Sequence, residues 1–411
     1  MSEFIVASRN GRNIPREDKI FGINNRAKDM IAREGKAKVT NATVGSLLDD
    51  DGNLIVLSSV DETLKKLSPL EYADYAPIGG TPEFKEAVKK AALGSNIPKG
   101  YVEAVATPGG TGAIRNTISN YSEYGDKVLT TDWHWAPYNT IAGEIGRSIE
   151  TFELFDANRN FNIFSFESKI NELLNVQDHL VIILNTPAHN PTGYSLSEMD
   201  WENVVSVLNK CKKHKKIALL VDVAYIDFAG DEEEYRKFLP LLENLSEKVL
   251  PIIGYSMSKT YTLYGMRCGA MVCIAKTLEI AEEFKRVCEF SSRGTWSNCA
   301  KAPQAMITRI FDDEELYKKV EAEREYFRTM LLERGKAFEK AAKEVGLEIL
   351  PFDSGFFVSI PCEEPDLVSR KLEEEGLFIV PLAKGLRVSI ASVSEEKCRI
   401  IPKKILEAMS K

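Results

Sequence analysis

The sequence lacks several features that would identify the class of the protein directly. Its seven cysteines are scattered and contain no CxxC pair, which argues against a disulfide framework or a zinc site. Only four histidines are present, so a metal centre would have few ligands. No run approaches the roughly 18 to 20 apolar residues that span a bilayer, and the first residues lack the apolar core of a secretory signal. These absences predict a soluble, cytoplasmic protein without a metal.

Charge of one sign is not concentrated anywhere in the chain. The sequence has 53 Lys and Arg against 61 Asp and Glu, a formal net charge of -8, and no dense basic run. We therefore do not expect a surface for nucleic acid, and any bound phosphate must be held by a local arrangement. At 411 residues, 44% of them hydrophobic, the chain is long enough for two domains with sizeable cores.

Short apolar runs alternate with segments of helical spacing over most of the chain. Residues 196–216, for example, carry apolar residues at helical spacing behind capping residues. This alternation predicts an α/β layered domain with a ligand crevice at the carboxyl ends of its strands. The runs predicted to be buried parallel strands are KVLTT (127–131), LVIILN (180–185), IALLVDVAYIDF (217–228), VLPIIGY (249–255) and GAMVCIA (269–275).

The pattern changes beyond about residue 305. Residues 312–346 form one long, charged segment with helical spacing. Three apolar runs then follow, FFVSIP (356–361), LFIVPL (377–382) and LRVSIAS (386–392), and each is typical of a strand. The end of the chain is therefore predicted to form a smaller α+β domain.

Polar residues follow several of the apolar runs, where the crevice is expected. TPGGTGAIRNTI (107–118) places Gly109, Gly110 and Thr111 before a helical pattern. Small residues let backbone amides approach an anion, and the start of a helix contributes about half a positive charge. A plain glycine turn is the alternative, because short glycine motifs are common.

The segments NTPAHNPTGYSLS (185–197) and VDVAYIDF (221–228) also follow apolar runs. In the first, His189 taken alone is typical of a packed or hydrogen-bonded side chain. In the second, Asp222 ends the most apolar run of the sequence, where burying a carboxylate costs several kcal/mol. We therefore expect Asp222 to face a cationic or protonated partner, rather than to be a simple capping residue.

The segment SMSKTYTLYGMR (256–267) follows the run VLPIIGY and contains Lys259. A surface lysine is the common case, but a lysine in a crevice loses its proton easily and can form a Schiff base. The hydroxyls of Ser256 and Ser258 and the guanidinium of Arg267 are groups that a phosphate ester would need.

Together these motifs resemble the fold-type I pyridoxal-phosphate aminotransferases, closest to the branch of the aspartate and aromatic-amino-acid enzymes. The resemblance covers nearly the whole chain. It implies a large domain, residues 46–305, with a mixed, mostly parallel seven-stranded sheet between helices. The smaller α+β domain would combine residues 1–45 and 306–411. In the order of the family, the similar motifs are IFGINNRAKDMI, DYAPIGGTPEF, GGTGAIR, HNPTG, DVAY, SMSKTYTLYGMR, RGTWSN and LRVSIAS.

The resemblance also implies a role for each candidate residue. Lys259 would bind pyridoxal 5′-phosphate covalently and then move a proton as general base and acid, while Asp222 would pair with the ring nitrogen. Tyr225 and Asn190 would hydrogen-bond the ring's phenolic oxygen. The phosphate would be held by Gly110, Thr111, Ser256, Ser258, Arg267 and, from the second subunit of a homodimer, Tyr75.

An aromatic side chain is expected to stack on the cofactor ring. Trp135 in DWHWAPYNT matches that position best, on its spacing to Pro137 and Tyr138, and Trp133 is the rival. His189 would pack beneath or beside the same ring system.

The substrate is expected to be an α-amino acid or its oxo acid. Arg387 would bind the α-carboxylate through a two-pronged hydrogen bond, with Gly45 and Asn190 also contacting the substrate. Arg293 would serve the partner subunit's site and bind a distal carboxylate, although a surface arginine is the alternative. Two departures affect these positions. Gly109 stands where close relatives usually have serine, and Cys299 with Ala300 replaces a proline pair.

The predicted activity is transfer of an amino group from aspartate or an aromatic amino acid to 2-oxoglutarate or a similar oxo acid, in a ping-pong mechanism. A lyase of the same fold is the first alternative, since such enzymes share every cofactor contact. A ligand-sensing, non-catalytic domain of a regulator is the second. It is disfavoured because the sequence has no basic recognition helix ahead of its first motif.

Overall fold

Helices and strands alternate along the chain in a computed structural model that describes residues 6–7, 14, 17–211, 214–231 and 234–410. The helices are α1 (Lys19–Glu34), α2 (Ser58–Lys65), α3 (Pro69–Ala73), α4 (Pro82–Leu93), α5 (Gly109–Tyr121), α6 (Pro137–Glu144), α7 (Ile163–Leu174), α8 (Glu198–Asn209), α9 (Met257–Thr260), α10 (Leu278–Thr295), α11 (Lys301–Asp312), α12 (Glu314–Val345), α13 (Pro365–Glu374) and α14 (Glu395–Ser410). The strands are β1 (Thr40–Asn41), β2 (Tyr101–Thr107), β3 (Lys127–Thr131), β4 (Ser148–Phe152), β5 (His179–Asn185), β6 (Lys216–Asp222), β7 (Val249–Ser256), β8 (Gly269–Ala275), β9 (Phe357–Pro361), β10 (Leu377–Phe378), β11 (Val380–Leu382) and β12 (Gly385–Ser389).

The described residues form two compact units. Unit 1 contains the described residues up to Ile55, the segment Ala188–Ser195 and the residues from Tyr326 onward. Unit 2 contains Val56–Pro187 and Leu196–Glu325. These units are groups of residues in mutual contact, so the division into domains at residues 45 and 305 stays a prediction.

Unit 2 contains a seven-stranded sheet in the order β2-β8-β7-β6-β5-β3-β4. Strands β7, β6, β5, β3 and β4 pair in parallel, while β8 runs antiparallel to both of its neighbours. The predicted fold class, a mixed and mostly parallel sheet flanked by helices, is confirmed. The apolar strand residues are buried on both faces, which explains why these strands appear in the sequence as continuous apolar runs.

The prediction that GAMVCIA is a parallel strand is wrong. This run forms β8, and its register with β7 is antiparallel. A connection between parallel strands has a dozen or more residues and usually contains an α-helix that crosses over the sheet. The chain between β7 and β8 has only the four-residue α9 and a 3₁₀ turn, Tyr264–Met266, so it reverses direction instead.

The strand predicted from the run IALLVDVAYIDF is shorter than the run. Strand β6 ends at Asp222, which is also the last residue to pair with β5 and β7. The chain then turns, and Ile226–Phe228 form a 3₁₀ turn. Because the ladder ends at Asp222, its side chain lies at the carboxyl edge of the sheet.

Unit 1 contains two small sheets. In the first, β12 lies between β11 and β9, with antiparallel pairing on both sides. In the second, β1 pairs in parallel with β10.

The run LFIVPL was predicted as one strand, but it is divided between β10 and β11, which belong to different sheets. The long helix predicted for residues 312–346 is confirmed as α12.

The described residues show three absences of functional interest. No helix among them is both long and apolar enough for a membrane span. All seven cysteines are free thiols. No group of three or more His, Cys, Asp or Glu side chains in this part of the chain is arranged to hold a metal ion.

Candidate active site

The carboxyl ends of β5, β6 and β7 bring polar residues of unit 2 to one edge of the sheet. Asn185, the last residue of β5, lies opposite Asp222 in the register. Its side-chain amide donates a hydrogen bond to the main-chain carbonyl of Asp222 at 2.8 Å. Strand β7 ends at Ser256, which caps the short helix α9 that contains Lys259. The alternation of strands and helices therefore places the acid and the lysine on adjacent strand ends.

The carboxylate of Asp222 is buried, with only 6% of the residue exposed. Its Oδ2 accepts a hydrogen bond from the hydroxyl of Tyr138 at 2.7 Å, and its Oδ1 accepts one from the amide of Ala224 at 3.2 Å. Burial raises the pKa of Asp222, although the Tyr138 hydroxyl, the charge of Lys259 and the Ala224 amide oppose that rise. The site therefore contains an acid that would be stabilised by a further cationic partner.

The amine of Lys259 lies beside the ring of Tyr225, with its Nζ 5.1 Å from the ring centroid. The pKa of Lys259 is lowered to about 8, mainly by burial and also by the charge of Arg267, while the charge of Asp222 opposes the shift. The lysine and the acid are thus close enough for each charge to act on the other. An amine with this pKa is partly neutral near physiological pH and can act as a nucleophile.

A cradle for an anion forms at the start of helix α5. Gly109 is the first residue of the helix and has a φ of 73°, and a Cβ there would lie 2.7 Å from Nη2 of Arg267. A Cβ on Gly110 would lie 3.4 Å from the Cβ of Ser256. The glycines therefore let the arginine and the serine approach the helix N-terminus closely. Free amides, a helix dipole and a guanidinium at one point favour a phosphate group.

Arg267 itself is held in a strained conformation. Its φ of 49° and ψ of 57° lie in the left-handed region, which side chains other than glycine rarely adopt. Its Nη1 donates hydrogen bonds to the carbonyl of Tyr264 at 2.8 Å and to Oγ of Ser258 at 3.3 Å. Two of the predicted phosphate ligands, Ser258 and Arg267, are therefore in direct contact. Thr111 lies in the first turn of α5, with an exposed side chain.

Tyr138 is a functional candidate that the sequence reasoning missed. In the sequence, Tyr138 drew attention only through its spacing to Trp135, which it follows by three positions. Burial and the nearby Asp222 raise the pKa of Tyr138 well above its ordinary value, so the phenol stays protonated and donates its hydrogen bond to Asp222. The ring of Trp135 meets that of Tyr138 edge-on, with the centroids 5.5 Å apart. Trp133 is more deeply buried, at 7% exposure, and which tryptophan stacks on a cofactor stays a prediction.

The residues predicted to bind a carboxylate lie in unit 1. Arg387, on the central strand β12, is buried with 4% exposure. Its Nη2 donates to the carbonyl of Thr43 at 2.8 Å, and its Nη1 donates to Oδ1 of Asn190 at 3.2 Å. Its guanidinium carbon lies 4.3 Å from the ring centroid of Phe357. These contacts hold the guanidinium in one orientation and bring two predicted substrate ligands, Arg387 and Asn190, together.

Gly45 and His189 have local structural roles in unit 1. A Cβ on Gly45 would lie 2.5 Å from Cζ of Phe357, so only glycine leaves room for the ring that packs against Arg387. His189 is buried, and its Nδ1 lies 2.8 Å from Oγ1 of Thr192. This contact agrees with a hydrogen-bonded histidine. A place beside the cofactor stays a prediction.

The two residues expected to serve a partner subunit are exposed. Tyr75 has 83% of its surface exposed. Arg293 is exposed in the last turn of α10, where its Nη1 donates to Oγ of Ser297 at 2.6 Å. The side-chain amide of Asn298 donates to the carbonyl of Ala76 at 2.9 Å, which ties the two segments together. Whether either side chain enters a partner's site stays a prediction.

Comparison with known proteins places the chain in a family. The model of the family "Aminotransferase class I and II" matches residues 37–405, so the chain belongs to that family. A solved aminotransferase from Anaerococcus prevotii is 39% identical, with a TM-score of 0.96, and the match covers 99% of this chain and 100% of that one. The predictions of a transaminase and of pyridoxal phosphate as its cofactor are confirmed.

The more distant relatives include aspartate and aromatic-amino-acid aminotransferases. The mitochondrial aspartate aminotransferase of Xenopus tropicalis is 24% identical, and the match covers 92% of this chain and 87% of the relative. The aromatic-amino-acid aminotransferase of Paracoccus denitrificans is 25% identical, with 91% and 93% covered. A solved aromatic-amino-acid aminotransferase from Burkholderia pseudomallei, covalently bound to pyridoxal phosphate, shares the fold with a TM-score of 0.79 at 22% identity.

The residues of unit 2 fit this cofactor. Asp222 is a buried acid suited to a protonated ring nitrogen, and Lys259 is an amine with a lowered pKa suited to an aldehyde. The cradle at Gly109 and Gly110 would be closed by any Cβ on Gly109, and it lies against Arg267, as a phosphate site requires.

We predict that Tyr138→Phe weakens cofactor binding most strongly at acidic pH. The change removes the hydrogen bond to Asp222, so burial raises the pKa of the carboxyl further and the group is protonated at a higher pH. Loss of a hydrogen bond to a charged group costs about 1.5 to 3 kcal/mol, which corresponds to roughly 10- to 100-fold in affinity. Titration of the cofactor-free protein with pyridoxal phosphate over a range of pH measures this.

Tyr121→Phe is the matched control for that variant. Tyr121 packs against the same core, and its hydroxyl is buried without a hydrogen-bond partner among the described residues. Removing this hydroxyl should leave the affinity for pyridoxal phosphate unchanged at every pH. If the two variants gave the same binding curves, the assigned role of Tyr138 would be incorrect.

We also predict that Gly109→Ala displaces Arg267 and weakens phosphate binding. Gly125→Ala is the matched control, because Gly125 has a similar φ of 88° but a Cβ there would meet nothing within 4 Å. Both variants should lose about 1 to 2 kcal/mol of stability through backbone strain. Only Gly109→Ala should weaken binding of pyridoxal phosphate, by roughly tenfold or more. Calorimetric titration distinguishes them, and equal affinities in the two variants would argue against the cradle.

Proposed function

We propose that this protein transfers an amino group from an L-amino acid, with aspartate or an aromatic amino acid preferred, to 2-oxoglutarate or a similar oxo acid in a ping-pong reaction. The observation that carries the proposal is the pair formed by Lys259 and Asp222. A lysine with a pKa of about 8 acts electrostatically on a buried acid at the next strand end. The aspartate and aromatic-amino-acid aminotransferases among the relatives support the choice of donors.

Pyridoxal phosphate, when bound, supplies an electron sink for the substrate's α-carbon. We assign to Asp222 the task of holding the proton on the ring nitrogen. Its raised pKa shows that burial of the carboxylate is incompletely compensated by protein groups. A cationic ring nitrogen would supply the missing charge, and the Tyr138 hydrogen bond fixes the direction in which Oδ1 and Oδ2 point.

We assign to Lys259 covalent attachment of the cofactor, as its Schiff-base lysine, and then movement of the proton at the substrate's α-carbon. A general base and acid works best when its pKa lies near the operating pH, and the pKa of about 8 for Lys259 meets that condition. Tyr225, whose ring lies beside the amine, is assigned to the cofactor's phenolic oxygen together with Asn190. Trp135 is assigned to the cofactor ring because it contacts Tyr138, the hydrogen-bond donor to Asp222.

The phosphate and the α-carboxylate have separate groups to hold them. We assign the phosphate to the cradle residues, which are Gly110, Thr111, Ser256, Ser258 and Arg267. Arg387 would bind the α-carboxylate through two parallel hydrogen bonds. Its contacts with Thr43 and Asn190 orient the guanidinium before substrate arrives, which reduces the entropy lost on binding.

A homodimer is part of this proposal. Tyr75 and Arg293 are both exposed, and the hydrogen bond from Asn298 to Ala76 joins their segments. We propose that Tyr75 completes the phosphate site of the second subunit and that Arg293 binds the distal carboxylate of a dicarboxylic substrate there. A cytoplasmic location stays a prediction, because the relatives include mitochondrial enzymes.

The proposal is tested with a panel of amino donors and 2-oxoglutarate, measured as kcat/KM for the wild type and for Lys259→Ala. Aspartate and the aromatic amino acids should react faster than alanine or leucine. Lys259→Ala should lose at least 10²- to 10⁴-fold in rate, the usual contribution of a general acid and base. Borohydride reduction followed by peptide mapping should find the cofactor on Lys259.

Three results would contradict parts of the proposal. Near-normal transfer by Lys259→Ala would remove the assigned mechanism. Reaction with alanine or branched donors while aspartate and the aromatics stay inert would overturn the substrate assignment. Release of ammonia or pyruvate from a single amino acid, without an oxo acid, would identify a lyase.

Arg293→Leu tests the dicarboxylate assignment separately. We expect kcat/KM for aspartate to fall roughly 10- to 100-fold, the effect of about 1.5 to 3 kcal/mol from a charged hydrogen bond. The value for phenylalanine should stay within about twofold, since its side chain has no charge to lose a partner. Arg286→Leu, an exposed arginine two turns earlier on α10, is the control. Equal losses for both donors would exclude a specific role for Arg293.

A further inference from the structure

A second buried carboxylate, Asp227, lies two residues after Tyr225. It is 3% exposed and lies in the 3₁₀ turn Ile226–Phe228, which follows directly from Tyr225. Nothing in the reaction proposed above uses this acid. A buried charge is costly unless several groups compensate it, so its partners indicate what it does.

The carboxylate of Asp227 contacts donor groups from several separate elements of unit 2. Its Oδ1 accepts a hydrogen bond from Nη2 of Arg236 at 2.6 Å. Its Oδ2 accepts one from the hydroxyl of Thr260 at 2.6 Å and a longer one from the hydroxyl of Tyr255 at 3.4 Å. Nη1 of Arg324, on α12, lies 3.6 Å from the same oxygen. One carboxylate thus connects the turn after Tyr225 with α9, β7 and α12.

Arg236 and Arg324 keep the carboxylate of Asp227 charged and fixed in position. Burial alone would raise the pKa of Asp227, but the charges of Arg236 and Arg324 outweigh it and the pKa is lowered. The guanidinium of Arg236, which has no exposed surface, also donates to the carbonyl of Ala91 at 2.9 Å. That of Arg324 lies 5.6 Å from the ring centroid of Tyr261. Asp227 is therefore an ionised acceptor whose position is set from several sides.

Thr260, the partner on α9, directly follows Lys259. Helix α9 has four residues, too few to be stable by its own backbone hydrogen bonds. Its first turn is capped by Ser256, whose Oγ accepts from the amide of Ser258 at 3.3 Å. Its last residue is held by the short bond to Asp227, since the alternative acceptor, the carbonyl of Ser256, is 3.4 Å away.

We propose that Asp227 is a positioning residue that, through the hydroxyl of Thr260, holds the amine of Lys259 in its place beside Tyr225. The turn that contains Asp227 begins where Tyr225 ends, so one carboxylate sets the position of both side chains. The observed result is the 5.1 Å separation of the Lys259 amine from the ring of Tyr225. This inference rests on the proposed function of Lys259.

Thr260→Val in the holoenzyme tests the proposal, because valine keeps the shape of threonine and removes the hydroxyl. We expect kcat to fall on the order of 10- to 100-fold, the effect of a misplacement of about 1 Å, while KM for the amino donor changes little. The absorbance of the lysine-bound cofactor changes with pH, and the midpoint of that change should rise by about half a unit or more. The reason is that a displaced Tyr225 no longer donates its hydrogen bond to the cofactor's phenolic oxygen. Thr260→Ser, which keeps the hydroxyl, should restore both values.

Thr63→Val is the control for a purely structural effect. Thr63 is a buried threonine on α2 whose hydroxyl donates to the carbonyl of Ser59 at 2.7 Å, so the same atoms are lost. It should lower the melting temperature as Thr260→Val does, and leave kcat and the pH midpoint unchanged. Asp227→Asn is less suitable, since it removes a negative charge from beside the guanidinium groups of Arg236 and Arg324 in the core.

The outcomes separate this inference from the function on which it rests. Borohydride labelling on a lysine other than Lys259 in the wild type would show that the proposed function is wrong. Labelling on Lys259, with a wild-type kcat and pH midpoint in Thr260→Val, would overturn the positioning role alone. Equal changes in kcat and in the pH midpoint for Thr260→Val and Thr63→Val would also overturn it.

Discussion

The chemistry proposed for this protein depends on the cost of burying the carboxylate of Asp222 at the end of β6. Protein groups compensate that cost only in part, since two neutral donors, Tyr138 and the Ala224 amide, bond the carboxylate and the pKa is still raised. The nearby Lys259 compensates further, and burial lowers its own pKa to about 8. Each group is therefore suited to the role proposed for it, Asp222 beside a cationic ring nitrogen and Lys259 toward an aldehyde.

Two buried carboxylates, Asp222 and Asp227, lie five positions apart in the sequence and have partners of opposite kinds. Asp222 accepts from uncharged donors, and its pKa is raised. Asp227 faces Arg236 and Arg324, and its pKa is lowered. The first is suited to chemistry because its charge is incompletely balanced. The second is suited to holding its neighbours in place because its charge is fully engaged. Similar depth of burial thus leads to different roles, set by the charge of the partners.

Much of the fold and the site could be predicted from local pattern. The parallel strands appeared as apolar runs because both of their faces are buried, and Asp222 and Lys259 stood out as polar residues at the ends of such runs. The direction of β8 could not be predicted, since an apolar run has the same composition in either orientation. Tyr138 was missed because its partner, Asp222, is 84 positions away. A pattern among neighbouring residues cannot predict a contact over that separation.

The sequence by itself determined the layered class, the order of the motifs and the family, because periodicity and short motifs are properties of neighbouring residues. Only the tertiary structure decided which donors reach which carboxylate, how α9 is held beside the turn after Tyr225, and how closely Gly109 approaches Arg267. The physical reason is that a shift in pKa and a steric contact depend on distances between groups far apart in the chain, and only the folded chain sets those distances.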